Sequence, residues 1–216
     1  MSRNAILVVF LAVAYSILKD QSLNLSHLWG LTPKLLGGLG YDPNKLGQID
    51  LYASLIVLSL DIVLPPVILN GLGYAKGLSI SYITFAFVFS NLWLTSRLSN
   101  NTIAFILLLL IYTVSRVALT VSSIATWVLM KNITPREFQG RIITVTTCLG
   151  YAVQSIGHIG TGGFFAWSLK NLQESHGKIS FPLNESFTFY LISLLSLVAA
   201  FTALAFPGSV EKALQE

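Results

Sequence analysis

The sequence predicts an all-α membrane protein with six transmembrane helices, and three observations carry that expectation. Hydrophobic residues make up 54% of the chain and charged residues only 10%, against about 25% charged in an ordinary soluble domain. The apolar residues fall in six long runs, most of them near the roughly 20 residues that a helix needs to cross a bilayer. Inside hydrocarbon every backbone N–H and C=O must find a partner within the protein, which leaves helices or a closed barrel. Barrel strands alternate in polarity, and these runs do not. The 216 residues read as one six-helix domain. Their net charge of +4 is spread along the chain, which gives no basic patch of the kind that binds nucleic acid. The lone Cys148 excludes an intramolecular disulfide and a multi-cysteine metal site.

The first span, about 5–36, reads as broken. Residues 5–18 are too few to cross alone, Lys19 and Asp20 interrupt them, and an apolar course resumes over 23–36, with the helix ending near Thr32-Pro33. Lys19 and Asp20 form either a local pair at that break or the end of a short interfacial helix. A removable leader is the alternative for this segment, because Arg3, a short apolar core and Ala12-Val13-Ala14 resemble one. The second span covers 49–69, with Pro65-Pro66 interrupting it. A tight turn from Asn70 to Gly77 leads to the third, 78–94. The fourth (103–130) and fifth (142–169) are long enough to require tilt or projection from the membrane. Thr134-Pro135-Arg136-Glu137 has the order of a helix start: a capping threonine, proline in the first turn and a glutamate that reaches back to the cap. A polar loop over 170–185 precedes the sixth span, 187–206, which Pro207-Gly208 ends.

An even number of spans puts both termini on one side. That side holds Arg3, Lys76, Lys131, Arg136, Arg141 and Lys212, against Lys34, Lys45, Arg97, Lys170 and Lys178 opposite, a slight bias toward cytoplasmic termini. The glycosylation sequons at Asn24, Asn100 and Asn184 fall on the opposite side, and Asn132 alone falls with the termini. Plasma membrane, vacuole and endoplasmic reticulum fit the sequence equally.

Ionisable groups within a span cost at least about 2.5 kcal/mol each and face the bundle interior or a water-filled path. At 1.5 Å per residue, Asp61 lies roughly 18 Å and Arg116 roughly 20 Å from the outer ends of their spans, a matching depth that predicts a pair on facing helices. Thr147, Tyr151, Gln154 and His158 form a polar stripe on the fifth helix at spacings of four, three and four. Gly150, Gly157, Gly160, Gly162 and Gly163 permit close approach of a neighbour. The stripe serves either a cavity lining or hydrogen bonding between helices. Asp61, Arg116, Tyr151, Gln154 and His158 are thus the candidates for lining a substrate cavity or coupling to protons. The third and sixth spans carry no interior charge, which predicts that they face lipid.

The order of these features resembles the C-terminal six-helix half of a major facilitator superfamily transporter. Thr32-Pro33-Lys34, then Gly37-Gly38-Leu39-Gly40-Tyr41 and Gly47, resemble the passage after the seventh helix of the zinc-induced facilitator-like group and related fungal facilitators. Pro66 matches a proline near the end of that group's eighth helix. Thr134-Pro135-Arg136 with Gly140-Arg141 is similar to the basic loop before the eleventh helix, and Gly157, Gly162 and Ala166-Trp167-Ser168 are similar to that helix itself. The chain departs from the pattern at His158, where proline is common, at Asp61, where an uncharged polar residue is common, and in the Gly71–Gly77 loop, which lacks an acidic residue.

The resemblance implies a facilitator fold whose first, second, fourth and fifth helices approach a central cavity while the third and sixth stay peripheral, in accord with the distribution of charge. It also implies secondary transport of a small solute, with a second six-helix half, or a second copy of the chain, supplying the other wall. A non-transporting fragment or accessory subunit of a truncated transporter gene is the competing reading. Catalysis finds no support. The histidines are His27, His158 and His176, no acidic or histidine pair has metal-ligand spacing on one helix, and no phosphate-binding glycine loop occurs. Neither metal nor cofactor is implied, and the lipid bilayer is the one partner that composition requires.

Overall fold

The computed structural model describes residues 3–174 and 186–206. Among them the chain is helical without strands. Its helices are α1 (Arg3–Leu31), α2 (Pro43–Leu72), α3 (Tyr74–Ser90), α4 (Asn101–Ile133), α5 (Arg136–Glu174) and α6 (Phe187–Leu204). All six segments are long and apolar enough to cross a membrane, α3 together with the 3₁₀ turn Leu92–Arg97 that follows it. This is a multi-pass membrane architecture. Most of the 170–185 loop, with His176, Lys178 and Asn184, and the tail from Pro207 onward lie outside the described residues.

Helix α1 runs unbroken through Lys19 and Asp20, where the sequence predicts an interruption. Neither glycine nor proline stands there: Lys19 stays exposed and Asp20 turns to His158 on α5, so the backbone needs no break. The helix stops before Pro33, as predicted, and the glycines after it make the stop compact. Gly40 N donates to Thr32 O (2.8 Å) and Tyr41 N to Gly30 O (3.0 Å). A Cβ on Gly38 would lie 2.1 Å from the Thr32 carbonyl oxygen, and Gly40 has φ +63°. Only glycine suits both positions. The Trp29 indole N–H closes the cap on Gly37 O at 3.0 Å. α1 also supplies the fully buried Leu11, Leu18, Leu25 and Trp29.

Asp42 starts α2, accepting a hydrogen bond from Lys45 N (2.7 Å), with proline in the first turn. The helix continues through Pro65-Pro66 instead of being interrupted. The prolines have no N–H to return to the carbonyls of Asp61 and Ile62, yet the helix resumes and ends at Gly73, whose φ of 82° makes the whole turn into α3. At the other loop Thr134 does not cap α5 with a reciprocal glutamate. It ends α4, and Gln139 Nε2 bridges to the carbonyls of Lys131 (3.0 Å) and Thr134 (3.2 Å).

The core is aromatic and joins α1, α3 and α6. Trp29 meets Phe189 edge-on at 5.6 Å, and Phe89 lies 5.4 Å from Phe189 and 5.2 Å from Phe85. Tyr82 Oη donates to Leu11 O (3.3 Å), and Ser196 Oγ to Tyr82 O (2.8 Å). The third and sixth helices are therefore not simply lipid-facing. α3 packs on α4 and α6, and each turns an apolar stripe outward: Ile80, Ile83 and Phe87 on α3, Leu194, Val198 and Phe201 on α6. The least covered helices are α2 and α5, whose most apolar windows are 17% and 11% buried against 39–50% for α1, α3, α4 and α6.

Candidate functional site

Polar groups converge where α1 meets α2, α4 and α5. On α1, Asp20, Asn24 and His27 stand one helical turn apart and form a ladder along one face. His27 Nε2 lies 2.6 Å from Asp50 Oδ2 on α2. The other carboxylate oxygen of Asp50 accepts from Arg116 Nη2 on α4 at 2.5 Å, and Arg116 Nη1 donates to Ser54 Oγ at 2.8 Å. The guanidinium also lies 5.8 Å from the centre of the Tyr112 ring. One carboxylate thus joins three helices, with Asp50 and Arg116 both half-buried. Charge-assisted hydrogen bonds of this kind are about twice as strong as neutral ones.

Lower on α1 the partner is α5. His158 Nε2 lies 3.3 Å from Asp20 Oδ2, and its Nδ1 lies 2.5 Å from Asn24 Nδ2. Gln154 Nε2 donates to Ser16 O at 3.3 Å. The amide of Gln21, 1% exposed, fits best with its nitrogen donating to Thr161 Oγ1 and Gly157 O, each at 2.9 Å. Two glycines make this approach possible. A Cβ on Gly157 would stand 2.7 Å from Gln21 Nε2 and one on Gly150 3.0 Å from Ser16 Oγ, whereas Gly160, Gly162 and Gly163 face open space.

Against models of protein families, characterised proteins and solved structures, the chain gives no match.

The predicted site residues are distributed unevenly. Arg116 stands at the centre of the three-helix cluster, but its partner is Asp50, not Asp61. Asp61 Oδ2 accepts from Thr120 Oγ1 (3.1 Å) instead, and its Oδ1 is buried without a hydrogen bond. α2 and α4 are neighbours, as the predicted pair requires. Gln154 and His158 face α1. Tyr151 does not: it is 67% exposed, and Thr147 is exposed beside it, because α5 approaches α1 along Gly150 and Gly157 rather than along the centre of the predicted stripe. Lys19 and Asp20 do not pair locally, since Asp20 turns to His158. Asn24 is equally occupied within a helix, so its sequon marks no loop. The residues that sequence reasoning passed over are His27, Asp50 and Asn24. The spacing of Asp20, Asn24 and His27 was the signal available for two of them, while Asp50 sat at the edge of its predicted span and was not weighed as intramembrane.

A cavity of about 360 Å³ opens between α1 and α4 beside this cluster. Tyr15, Lys19, Ser22 and Ser26 line it from α1, and Tyr112, Ser115, Arg116 and Thr120 from α4. Its size lies within the range of small-molecule sites.

Proposed function

We propose that this chain is a facilitator-type secondary transporter of a small solute, or the C-terminal half of one, working by alternating access without catalysis. The observation that supports the reading is the ion chain His27–Asp50–Arg116, set across three spans beside a cavity. Charged groups within membrane-spanning helices are costly, and they characteristically mark ion and substrate pathways. His27 and His158, each facing a carboxylate, are the groups suited to carrying a proton. The resemblance to the C-terminal half of a major facilitator supports the same reading.

The uncovered α2 and α5 favour a second six-helix unit against them, either a separate polypeptide or another copy of the chain. The same observation favours the alternative of a non-transporting fragment or accessory subunit. Reconstitution into sealed vesicles separates these readings. With zinc, cationic drugs and organic anions offered under a proton gradient, the chain alone is expected to give no uptake, and uptake is expected once its partner unit is added. Uptake by the chain alone that Asp50→Asn with Arg116→Ala abolishes would establish a functional homodimer. Absence of uptake with every co-purifying six-helix protein would leave the accessory reading.

A further inference from the structure

We propose that the cavity between α1 and α4 binds a small amphipathic monoanion, its acidic group held by Lys19 with the Ser115 hydroxyl and its apolar body lodged between the helices. The proposal gives a substrate class to the transporter reading and rests on it for physiological use, though not for binding itself.

The charge on the cavity wall points one way. Lys19 and Arg116 are its two cations, and no carboxylate lines it. Arg116 is already matched by Asp50. Lys19 is not matched: its chain neighbour Asp20 is directed to His158 on α5, and among the described residues the Lys19 ammonium has no hydrogen bond or ion pair. Asp61 lies behind Thr120, which engages it from the cavity wall. An entering anion therefore meets one uncompensated positive charge, Lys19, and an entering cation meets that same charge as repulsion with no carboxylate on the wall to offset it.

Ser115 supplies an independent observation. It is 7% exposed, its Oγ has no hydrogen-bond partner, and it lines this same cavity. Most hydroxyls on these helices return a hydrogen bond to a carbonyl of the preceding turn, as Ser22, Ser26 and Thr113 do. A buried polar atom left unpaired calls for a partner, and a hydroxyl facing a cavity can donate to an anionic oxygen. The remaining wall, including Val57, Phe89, Ile111 and Leu119, is apolar and suits a hydrocarbon or aromatic body. A single compensating lysine suits one negative charge rather than two.

The test uses the full chain purified in lipid nanodiscs, with radiolabelled phenylbutyrate as probe. Saturable binding is expected, competed by a phenylalkyl sulfonate of similar size but not by phenylbutylamine or phenylbutanol. Lys19→Gln should weaken binding about tenfold or more and Ser115→Ala by a smaller factor, whereas Lys19→Arg should retain it. A thermal melt of each variant establishes that it is folded. Equal or stronger binding of the amine, unchanged phenylbutyrate binding by folded Lys19→Gln, or no saturable phenylbutyrate binding by the folded parent would each overturn the proposal. The two readings fail separately. Anion binding with these variant effects but no flux with any partner unit would sink transport alone, and saturable flux of a solute indifferent to Lys19→Gln would sink the anion site alone.

Discussion

Arg116 selects its partner by the offset of α4 against α2 together with the lean of its side chain, neither of which the depth of its Cα within the span reports. Helical side chains lean toward the N-terminus, so a long guanidinium reaches about a turn below its own backbone. On α2 that level is held by Asp50 and Ser54, while Thr120, one turn further along α4, meets Asp61. Matching the backbone depths of Asp61 and Arg116 locates the right pair of helices and the wrong carboxylate. The presence of buried charge was legible from residue type alone. Its pairing was not, because pairing depends on side-chain lean and helix offset. A double-mutant cycle on unfolding free energy in detergent should therefore give a coupling of about 0.5–3 kcal/mol between Arg116→Gln and Asp50→Asn. Arg116→Gln and Asp61→Asn should add to within about 0.5 kcal/mol.

At the scale of the element, hydropathy located every helix, and local chemistry decided where each ends. Asp42-Pro43, Gly73 and the glycines after Thr32 set their boundaries through geometry that sequence motifs express directly. The two predicted interruptions, at Lys19-Asp20 and Pro65-Pro66, fail for different reasons, one tertiary and one local. Asp20 finds His158, and the α2 prolines fall in a helix whose remaining backbone bonds carry it through. The glycines of α5 divide in the same way, because sequence gives the absence of a side chain but not the presence of a neighbour. Gly157→Val should destabilise the bundle by about 1–3 kcal/mol through overpacking against the buried Gln21 amide. Gly160→Val, with nothing within 4 Å of its Cβ, should change stability by less than about 0.5 kcal/mol. Denaturant titration of both variants checks the contrast.

For the whole molecule, the count of spans was legible and their order of burial was not. Uncharged α3 and α6 were expected at the periphery, yet each buries one side in the aromatic core. α2 and α5, which carry polar groups, remain the most open. Charge content reports whether a helix has a polar face, but the burial of its other faces depends on neighbours that composition does not specify. The even number of spans puts both termini on one side, and the sequon placement with the slight charge bias predicts that this side is cytoplasmic. Tags at the two ends should then be equally protected or equally cleaved by protease in sealed vesicles of known orientation, and opposite accessibility would refute that topology. With Asn24 in the middle of a spanning helix and bonded to His158 of α5, an Asn24→Gln variant should leave glycosylation unchanged.

The pairing of Asp20 and Asn24 with His158, 134 positions beyond Asn24, bears on biogenesis. When α1 leaves the ribosome, Asp20 faces the translocon with no counterpart, at about 2.5–3.5 kcal/mol on insertion scales, and its relief is encoded in a helix not yet synthesised. Nascent chains arrested before α5 should hold α1 at the translocon or at the interface, with full integration following only once α5 has emerged. α1 is thus among the last of these helices to settle.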